Sequence, residues 1–404
     1  MAEAREFDVV VVGAGIAGSA LALALAGSGL SIALIEAREL QAPELPQALG
    51  VATFDSRVSA LTPRSRQFLE NLGVWQLLQD YRLCPYHHMT VWDAEGTGRI
   101  DFDCGELDVA ALGYIVENRA IVNALLTRAQ ATPAITLFGQ TTLNTCEKNG
   151  TGLSIGLESG DCLNTNLLVA ADGALSRVRE RLNFKTREWD YGHRAVVASV
   201  EVAREHQHTA WQRFLPTGPL ALLPLPGEAG HHYCSIVWSI EEAQAEEILS
   251  LDDPAFCRAL TRASEAQLGD VLATSQRFAF PLRQRHAVDY VQPGVALVGD
   301  AAHTIHPLAG QGINLGLADV AALAEEVIQG FELGVSPGQI ELLKRYQRRR
   351  KGENLLMMAA MDGFKRLFAE PALPVRWLRN AGMRGVDHLA PVKQQLMRHA
   401  MGLR

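Results

Sequence analysis

The most constraining feature of the sequence is an uncharged run from Val9 to Ile35, 27 residues long. A run of this length could cross a membrane, but five glycines interrupt it and an acidic residue borders it at each end. No basic segment precedes it, which also disfavours a signal peptide. Because glycines mark turns between apolar segments, we predict a strand over Phe7–Val12, a helix over Ala17–Ala26 and a strand over Leu30–Ile35.

A glycine pattern of the form G-x-G-x-x-G occupies the first turn of this unit. Gly13 permits a tight turn, Gly15 lets the backbone approach a pyrophosphate, and Gly18 lets the helix pack closely on the strand. The amino terminus of the helix then faces the phosphates. Glu36 ends the second strand, where its carboxylate can accept hydrogen bonds from ribose hydroxyls. The pattern predicts a dinucleotide site, but it does not distinguish FAD from NAD. The predicted residues are Gly13, Ala14, Gly15, Ile16, Ala17, Gly18 and Glu36.

The composition excludes several classes of protein. With 404 residues, the chain is long enough for two packed domains or one large α/β unit. Hydrophobic residues make up 48% and charged residues 20%, which rules out wholesale disorder. The net charge of −8 argues against nucleic-acid binding. None of the six cysteines forms a C-x-x-C pair, so we predict reduced thiols, a cytoplasmic location and no metal site.

Charge is distributed unevenly along the chain. Residues 344–404 carry 14 lysines and arginines and four acids, a net charge of +10, which leaves −18 for the rest. Such a basic segment is typical of regions that meet an anionic membrane surface or an acidic protein. It is equally typical of a solvated helical face. If the segment meets lipid, we expect attachment peripheral to the inner face of the membrane.

Two further motifs point to a cofactor. The apolar strand Val295–Val298 runs into Gly299-Asp300-Ala-Ala-His303, and Pro307-Leu-Ala-Gly310-Gln-Gly-Ile-Asn314 leads into a helix. Asp172-Gly-Ala-Leu-Ser176-Arg-Val-Arg179 matches the pattern Asp-Gly-x-x-Ser-x-x-Arg. With its three motifs in this order, the chain resembles the flavoprotein aromatic hydroxylases of the p-hydroxybenzoate hydroxylase type.

The resemblance implies that FAD binds without a covalent tether and that NAD(P)H binds transiently as its reductant. Asp300 would bind the ribityl chain, and Asp172 would lie near FAD and the nicotinamide. The turn before the helix would present backbone N–H groups to the flavin. Arg57 occupies the position of a family arginine that contacts FAD, and Arg119 is either a further contact or a helix-surface residue. The implied cofactor residues are Arg57, Arg119, Asp172, Gly299, Asp300, Pro307, Gly310, Gln311, Gly312, Ile313 and Asn314.

His306 and Pro307 are the candidate catalytic residues, because they fall where the flavin ring is expected. His306 would help to deprotonate a phenol, or it would be a structural histidine held in the loop. The resemblance implies that a flavin hydroperoxide, formed with O2, is itself the electrophile. No side-chain nucleophile is then needed, and the protein must exclude water and position the ring.

Other segments narrow the resemblance to the ubiquinone-biosynthesis hydroxylases, the 2-polyprenylphenol hydroxylase subfamily. They are Val116-Glu117-Asn118, Cys234–Trp238, Met361–Phe364 and His399–Leu403. This resemblance implies hydroxylation of a polyprenylated phenol, with C5 favoured over C6 or C1, and a place in a ubiquinone-biosynthesis complex. A flavin-binding assembly protein without turnover and an NAD-dependent dehydrogenase are the alternatives.

The order of predicted strands and helices indicates an α/β fold with two interleaved domains. A Rossmann-like FAD-binding domain takes residues 1–84, 117–186 and 285–335, and a β-sheet substrate domain takes 85–116 and 187–284. A basic helical region takes 336–404. Within the second domain we predict helices over Ile240–Leu249 and Pro254–Leu268.

Overall fold

The computed structural model describes residues 4–150, 152–304, 312–370 and 372–403. The helices are α1 Ile16–Ala26, α2 Pro63–Asn71, α3 Trp75–Tyr81, α4 Asn118–Gln130, α5 Arg177–Arg181, α6 Glu242–Ser250, α7 Asp253–Ala263, α8 Gly312–Glu332, α9 Ile340–Ala369, α10 Leu373–His388 and α11 Ala390–Ala400. The strands are β1 Arg5–Val12, β2 Ile32–Ile35, β3 Val58–Leu61, β4 Cys84–Tyr86, β5 His88–Asp93, β6 Arg99–Asp103, β7 Gly113–Glu117, β8 Ile135–Phe138, β9 Leu143–Asn149, β10 Gly152–Leu157, β11 Cys162–Ala170, β12 Thr186–Val202, β13 Thr209–Leu215, β14 Gly218–Glu228, β15 His231–Glu241, β16 Val271–Thr274, β17 Phe278–Ala287, β18 Val291–Gln292, β19 Val295–Leu297 and β20 His303–Thr304.

The first sheet carries the glycine-rich turn and has the order β18-β19-β11-β1-β2-β8. From β19 to β8 its neighbouring strands are parallel, with Val9 opposite Ile32 and Val10 opposite Leu168. Both faces of a parallel sheet are covered by helices, so its strands are apolar throughout. The interior residues of β1 and β2 are fully buried, which is the reason for the uncharged run in the sequence.

The second sheet has the order β20-β17-β12-β15-β14-β13-β5-β6. Alternate residues of its central strands pack on one side against α6 and α7. The opposite side faces the small sheet β3-β7-β4, where Ala60 and Ile115 pack against Ala221 and Leu223. This second side is therefore turned towards the region that carries the nucleotide motifs.

The C-terminal helices connect the two large sheets. α8 packs against α1, and α9 packs against α8 and against β18. The far end of α9 reaches the second sheet, where Phe368 stacks on Phe214 with ring centroids 3.8 Å apart. α10 lies on β6, and α11 lies beside the short helical turn Cys104–Leu107. The helices thereby clamp the β5–β6 hairpin to the rest of the molecule.

The α/β fold class predicted from the sequence is confirmed. The domain boundaries stay a prediction. Two predicted helices differ from the structure. Ile240 belongs to β15, because it pairs with Arg194 and is buried. The helix predicted over Pro254–Leu268 ends at Ala263, because Glu265 and Ala266 adopt left-handed backbone angles.

Sequence reasoning missed α3 and the small sheet, both of which are built from short segments. Among the described residues, no helix is long and apolar enough to cross a membrane. The same residues contain no cluster of histidines, cysteines and acids that could hold a metal ion.

Candidate active site

The glycine-rich turn has no room for a side chain at Gly13 and Gly18, but it has open space at Gly15. Gly13 has a φ of +103°, and a Cβ there would lie 2.5 Å from the Ala171 carbonyl oxygen. A Cβ on Gly18 would lie 1.8 Å from the Gly13 carbonyl oxygen. A Cβ on Gly15, in contrast, would meet nothing within 4 Å. The first and third glycines thus serve packing, and the second faces free space of the kind that a pyrophosphate requires.

Glu36 braces this turn from the end of β2. Its Oε2 accepts a hydrogen bond of 2.8 Å from the Ala14 amide, and its Oε1 accepts one of 3.1 Å from the Arg38 amide. The carboxylate therefore lies at the mouth of the turn, next to the amino terminus of α1. This is the position that a ribose-binding carboxylate occupies in the dinucleotide fold.

Asp172 follows β11 and lies directly beside Gly13. Its Oδ2 accepts a hydrogen bond of 3.2 Å from the Val178 amide, but its Oδ1 is buried and has no partner among the described residues. A buried carboxylate oxygen without a partner is costly, so a ligand that donates a hydrogen bond here would stabilise the site. Arg179, from the same motif, donates to the Ala301 carbonyl oxygen at 2.9 Å. This hydrogen bond joins the Asp172–Arg179 motif to the Gly299–His303 motif.

The Gly299–Asp300 turn lies beside the glycine-rich turn. A Cβ on Gly299 would lie 3.3 Å from the Cβ of Ala17, so this glycine also serves close packing. The Asp300 side chain is open to solvent. Burial by the surrounding protein nevertheless raises the pKa of its carboxyl group, and the charges of His303 and Arg57 act in the opposite direction. A solvent-accessible but desolvated carboxylate is what the floor of a cleft produces.

Arg57 reaches the site from the loop before β3. Its guanidinium lies 6.0 Å from the ring centroid of Phe280 and acts electrostatically on Asp300. It thus stands between the Gly299–Asp300 turn and β17 of the second sheet. Arg57, Phe280 and Asp300, which are far apart in the sequence, therefore lie near one another.

The start of α8 is fixed by Asn314. Its Oδ1 accepts hydrogen bonds from the Thr62 amide at 3.0 Å and from the Ser65 hydroxyl at 2.7 Å. Its Nδ2 donates to the Ala60 carbonyl oxygen at 2.8 Å. Gly312 and Ile313, which precede it, are half-buried. The asparagine side chain is occupied by the protein, so its part in cofactor binding would be to place the first turn of α8.

Arg119 is engaged by the protein as well. It forms an ion pair of 2.7 Å with Glu117, and its amide donates to Asp55 at 2.9 Å. Glu117 also pairs with Arg82 at 2.6 Å. This cluster fixes the loop that leads to Arg57. Arg119 therefore lies behind the loop, and its role as a direct FAD contact stays a prediction.

Four of the predicted residues, His306, Pro307, Gly310 and Gln311, lie outside the described residues. Their predicted roles stay predictions. Apart from Arg119, the other predicted cofactor residues fall into one region around the first turns of α1 and α8.

A buried polar cluster beneath the Gly299 turn escaped sequence reasoning. Asp319 of α8 accepts hydrogen bonds from the Gly299 amide at 3.2 Å and from His303, and Arg350 of α9 donates to it at 2.8 Å. Burial by itself would raise the pKa of Asp319, but His303 and Arg350 bring it below its usual value. The only signal in the sequence is a lone acid within the apolar stretch Leu317–Ala324.

Sequence reasoning also missed an aromatic surface on β17. Phe278 and Phe280 pair with Val197 and Ala195 on the side of the sheet turned towards Arg57. They are 37% and 39% exposed, although Ala279 between them packs on the α6 and α7 side. The signal was the spacing of two phenylalanines at i and i+2 in a strand, which places both on one face.

Comparisons with known proteins identify the family of the chain. A family description, FAD binding domain, matches residues 6–358. The chain is 36% identical over 396 residues to 3-demethoxyubiquinol 3-hydroxylase of Escherichia coli, with 98% of each chain covered. It is 38% identical to ubiquinone hydroxylase UbiL of Rhodospirillum rubrum, with 98% of this chain and 89% of that protein covered. It is 33% identical to the human ubiquinone biosynthesis monooxygenase COQ6, with 98% of this chain and 92% of that protein covered.

Among solved structures, the fold is similar to that of p-nitrophenol 4-monooxygenase PnpA from Pseudomonas putida, with a TM-score of 0.77, 18% identity and 99% of both chains covered. It is also similar to PqsL of Pseudomonas aeruginosa, with a TM-score of 0.76, 21% identity and coverage of 94% of this chain and 100% of that one. At these identities the likeness concerns the fold, while the curated relatives extend over the whole chain. The motifs, their meeting point in the structure and these relatives lead to one conclusion: the chain belongs to the family of FAD-dependent ubiquinone-biosynthesis hydroxylases.

Proposed function

We propose that the protein hydroxylates the aromatic ring of a polyprenylated phenol in ubiquinone biosynthesis, at C5 of the ring. The names of its relatives, which are a demethoxyubiquinol hydroxylase and ubiquinone hydroxylases, support the substrate class. NAD(P)H serves as the reductant of FAD and O2 as the source of the hydroxyl oxygen. C6 and C1 are the alternative positions.

The observation that carries this proposal is the position of the aromatic surface opposite the predicted flavin turn. Phe278 and Phe280 are exposed on the side of β17 that faces Arg57, and Arg57 acts on Asp300. An apolar planar ring gains by leaving water for such a surface, and aromatic pairs add to that gain. The surface therefore suits a phenol ring better than a polar substrate.

The residues around this surface have different roles in the proposed reaction. When bound and reduced, FAD would activate O2 for transfer of one oxygen atom to the ring. The glycine-rich turn would hold the pyrophosphate and Asp300 the ribityl chain of the cofactor, while the phenylalanines exclude water from the reacting ring. Arg57 provides a positive charge beside them, which favours the ionised and more electron-rich form of a phenol. The predicted proton acceptor, His306, lies outside the described residues.

The decisive experiment is product analysis. The gene would be expressed in a ubiquinone-producing cell that lacks its own ring hydroxylase, and the accumulated quinones would be identified by mass spectrometry and NMR. We expect restored ubiquinone and a new hydroxyl group at C5. A hydroxyl group at C6 or C1 would correct the position, and no hydroxylated product would refute the proposal.

Turnover of the purified protein tests the monooxygenase activity directly, because a flavin-binding assembly protein would bind FAD but would not consume NAD(P)H. The purified protein should oxidise NADPH faster when a short-chain prenylphenol is present, and the phenol should be hydroxylated. Uncoupled release of hydrogen peroxide would still indicate an enzyme. The absence of both would favour the assembly role.

We also propose that the C-terminal helices attach the protein peripherally to an anionic membrane, where a polyprenylated substrate resides. Leu373 and Trp377 are exposed on α10, with Trp377 68% exposed, and Arg384 lies on the same helical face. Exposed aromatic and basic residues side by side are typical of helices that lie in a membrane interface. Salt-sensitive binding to phosphatidylglycerol vesicles is expected. Binding to a partner hydroxylase, but not to vesicles, would indicate attachment through a protein complex instead.

A further inference from the structure

A cavity lies between α9 and the paired ends of β12 and β17. Its volume is about 730 Å³. Lining residues come from Arg187–Tyr191, from Gln284–Val288 and from Lys351–Arg366, and none of them is a predicted cofactor residue. The size falls within the range of about 300–1,000 Å³ that is usual for small-molecule sites.

One side of the cavity is apolar. Leu355, Met358 and Ala359 line it from α9, and their spacing of three and four residues places them on one face of the helix. Trp189 lines the cavity from the facing strand, β12, and is 50% exposed. The indole and the helix thus form two walls between which an aliphatic chain could lie.

The other side of the cavity is positively charged. Its two acids are paired, Asp362 with Arg366 at 2.9 Å and Asp190 with Arg283 at 3.0 Å. Arg187 has no ion pair within the described parts of the chain, whereas Lys351 forms a long ion pair with Asp289 at 3.9 Å and donates a hydrogen bond to the Val288 carbonyl oxygen. Arg187 therefore remains for a ligand, and Lys351 adds its positive charge and one further N–H donor.

The pKa of His286 reflects the positive charge at the end of the cavity that carries Arg187 and Lys351. This histidine pairs with Arg187 across the strands and lines the cavity. Burial is the largest cause, and together with the charges of His303, Lys351 and Arg187 it lowers the pKa of His286 to about 4. Since the histidine is neutral at pH 7, it adds a hydrogen-bonding group and no charge. The positive potential comes from the arginine and the lysine alone.

We propose that this cavity binds an amphiphile, with an aliphatic chain along Leu355, Met358 and Ala359 and an acidic head group at Arg187 and Lys351. A free fatty acid and an acidic membrane lipid share this chemistry. An apolar wall favours the chain because burial removes it from water. The unpaired Arg187 and the charge of Lys351 favour the acid, because charge-assisted hydrogen bonds are stronger than neutral ones. None of the residues that line the cavity is a predicted cofactor residue, so the proposal stands even if the ring position proposed above is wrong.

The test is direct binding, followed through Trp189. Bound ligand should shield the indole from acrylamide quenching, and Trp189→Phe identifies the part of the signal that belongs to this residue. Oleate should bind at least tenfold more tightly than oleyl alcohol, which has the chain without the acid. Inorganic phosphate alone should not shield the indole. Equal binding of oleate and oleyl alcohol would overturn the proposal.

Two matched variants locate the ligand. Ala359→Phe fills the cavity and should abolish oleate binding, whereas Ala360→Phe, at an exposed neighbour that does not line the cavity, should leave it unchanged. The double variant R187Q/K351Q should reduce oleate affinity to that of oleyl alcohol. If Ala359→Phe and Ala360→Phe bind oleate alike, the cavity is not the site.

A last arm distinguishes the two sources of the ligand. Phosphatidylglycerol vesicles that shield Trp189 in the wild-type chain, but not in Ala359→Phe, would identify a membrane lipid. Shielding by free oleate alone would identify a soluble fatty acid. Shielding by vesicles that survives in Ala359→Phe would place lipid outside the cavity and would count against the proposal.

Discussion

The glycine-rich turn and the C-terminal helices are held in place by opposite means. The turn is built from backbone amides and small residues, and its closest approach is that of Gly18 to Gly13. The helices are held by buried charges. Arg379 and Asp93 are each about 1% exposed and form an ion pair of 2.7 Å. The comparison shows that a motif of small residues can be read directly from a sequence, whereas a buried ion pair needs its partner to be known.

The basic C-terminal segment is only partly a docking surface or a solvated face. Three of its cations are buried and paired: Arg350 with Asp319, Arg379 with Asp93, and Lys393 with Glu106 at 2.7 Å. They serve cohesion between the helices and the sheets. Only the exposed remainder of the charge is free to meet a surface.

The largest expected effect concerns the buried pair. Arg379→Met should lower the free energy of unfolding by about 3–5 kcal/mol, because it leaves Asp93 buried without its cation. Urea denaturation would measure it. Arg384→Met, at an exposed site of the same helix, should change stability by less than about 0.5 kcal/mol. Equal losses in both variants would show that burial is not the cause.

The next largest expected effect is a dependence of stability on pH that is caused by His286. The pKa of His286 is lowered to about 4, so between about pH 6.5 and 4 the unfolded chain binds a proton that the folded chain does not. The free energy of unfolding should therefore decrease as the pH is lowered from about 6.5 to 4, by up to about 3 kcal/mol. Thermal unfolding between pH 4 and 8 would show it. His286→Gln should flatten the slope, whereas His399→Gln, at an exposed residue of α11, should not.

Two glycine variants separate packing from binding within the turn. Gly18→Ala should destabilise the fold by about 1–3 kcal/mol, since its Cβ would collide with the Gly13 carbonyl group. Gly15→Val should cost less than about 1 kcal/mol but abolish FAD binding, because its side chain enters open space. Denaturation curves and flavin absorbance of the purified variants measure both. Full flavin occupancy in a folded Gly15→Val protein would refute the placement of the pyrophosphate.

Asp300→Ala should weaken FAD binding by about 1–3 kcal/mol, the usual contribution of a hydrogen bond to a charged group. Isothermal titration of the apoprotein with FAD would measure the change. Asp80→Ala, at an exposed position of α3, is the control. Unchanged affinity in Asp300→Ala would place the ribityl chain elsewhere.

The smallest expected effect tests the exposed face of the C-terminal helices. Arg384→Gln should weaken binding to anionic vesicles by about 1 kcal/mol. Arg258→Gln, an exposed arginine of α7, should have no effect. Vesicle sedimentation at two salt concentrations would compare them. If both variants bind as the wild type does, α10 does not lead the docking.

Much of the flavin region could be predicted from the sequence. The glycine-rich turn and Glu36 were predicted from residue type and spacing, because such turns restrict which residues fit, and Asp300 was predicted from the family resemblance; their roles in binding stay predictions. Asp319 and the two phenylalanines of β17 were not identified, although they lie at the same site. Their residue types are common in any sequence, and only their neighbours give them a role.

The sequence by itself determined the order of the elements, the nucleotide-binding turn and the family of the chain, because these depend on short-range patterns of apolar residues and glycines. Only the tertiary structure decided which charges are buried, which side of β17 meets Arg57 and that a cavity lies beneath α9. The physical reason is that burial and electrostatic pairing depend on contacts between residues far apart in the chain. Arg379 and Asp93, for example, are separated by 286 residues.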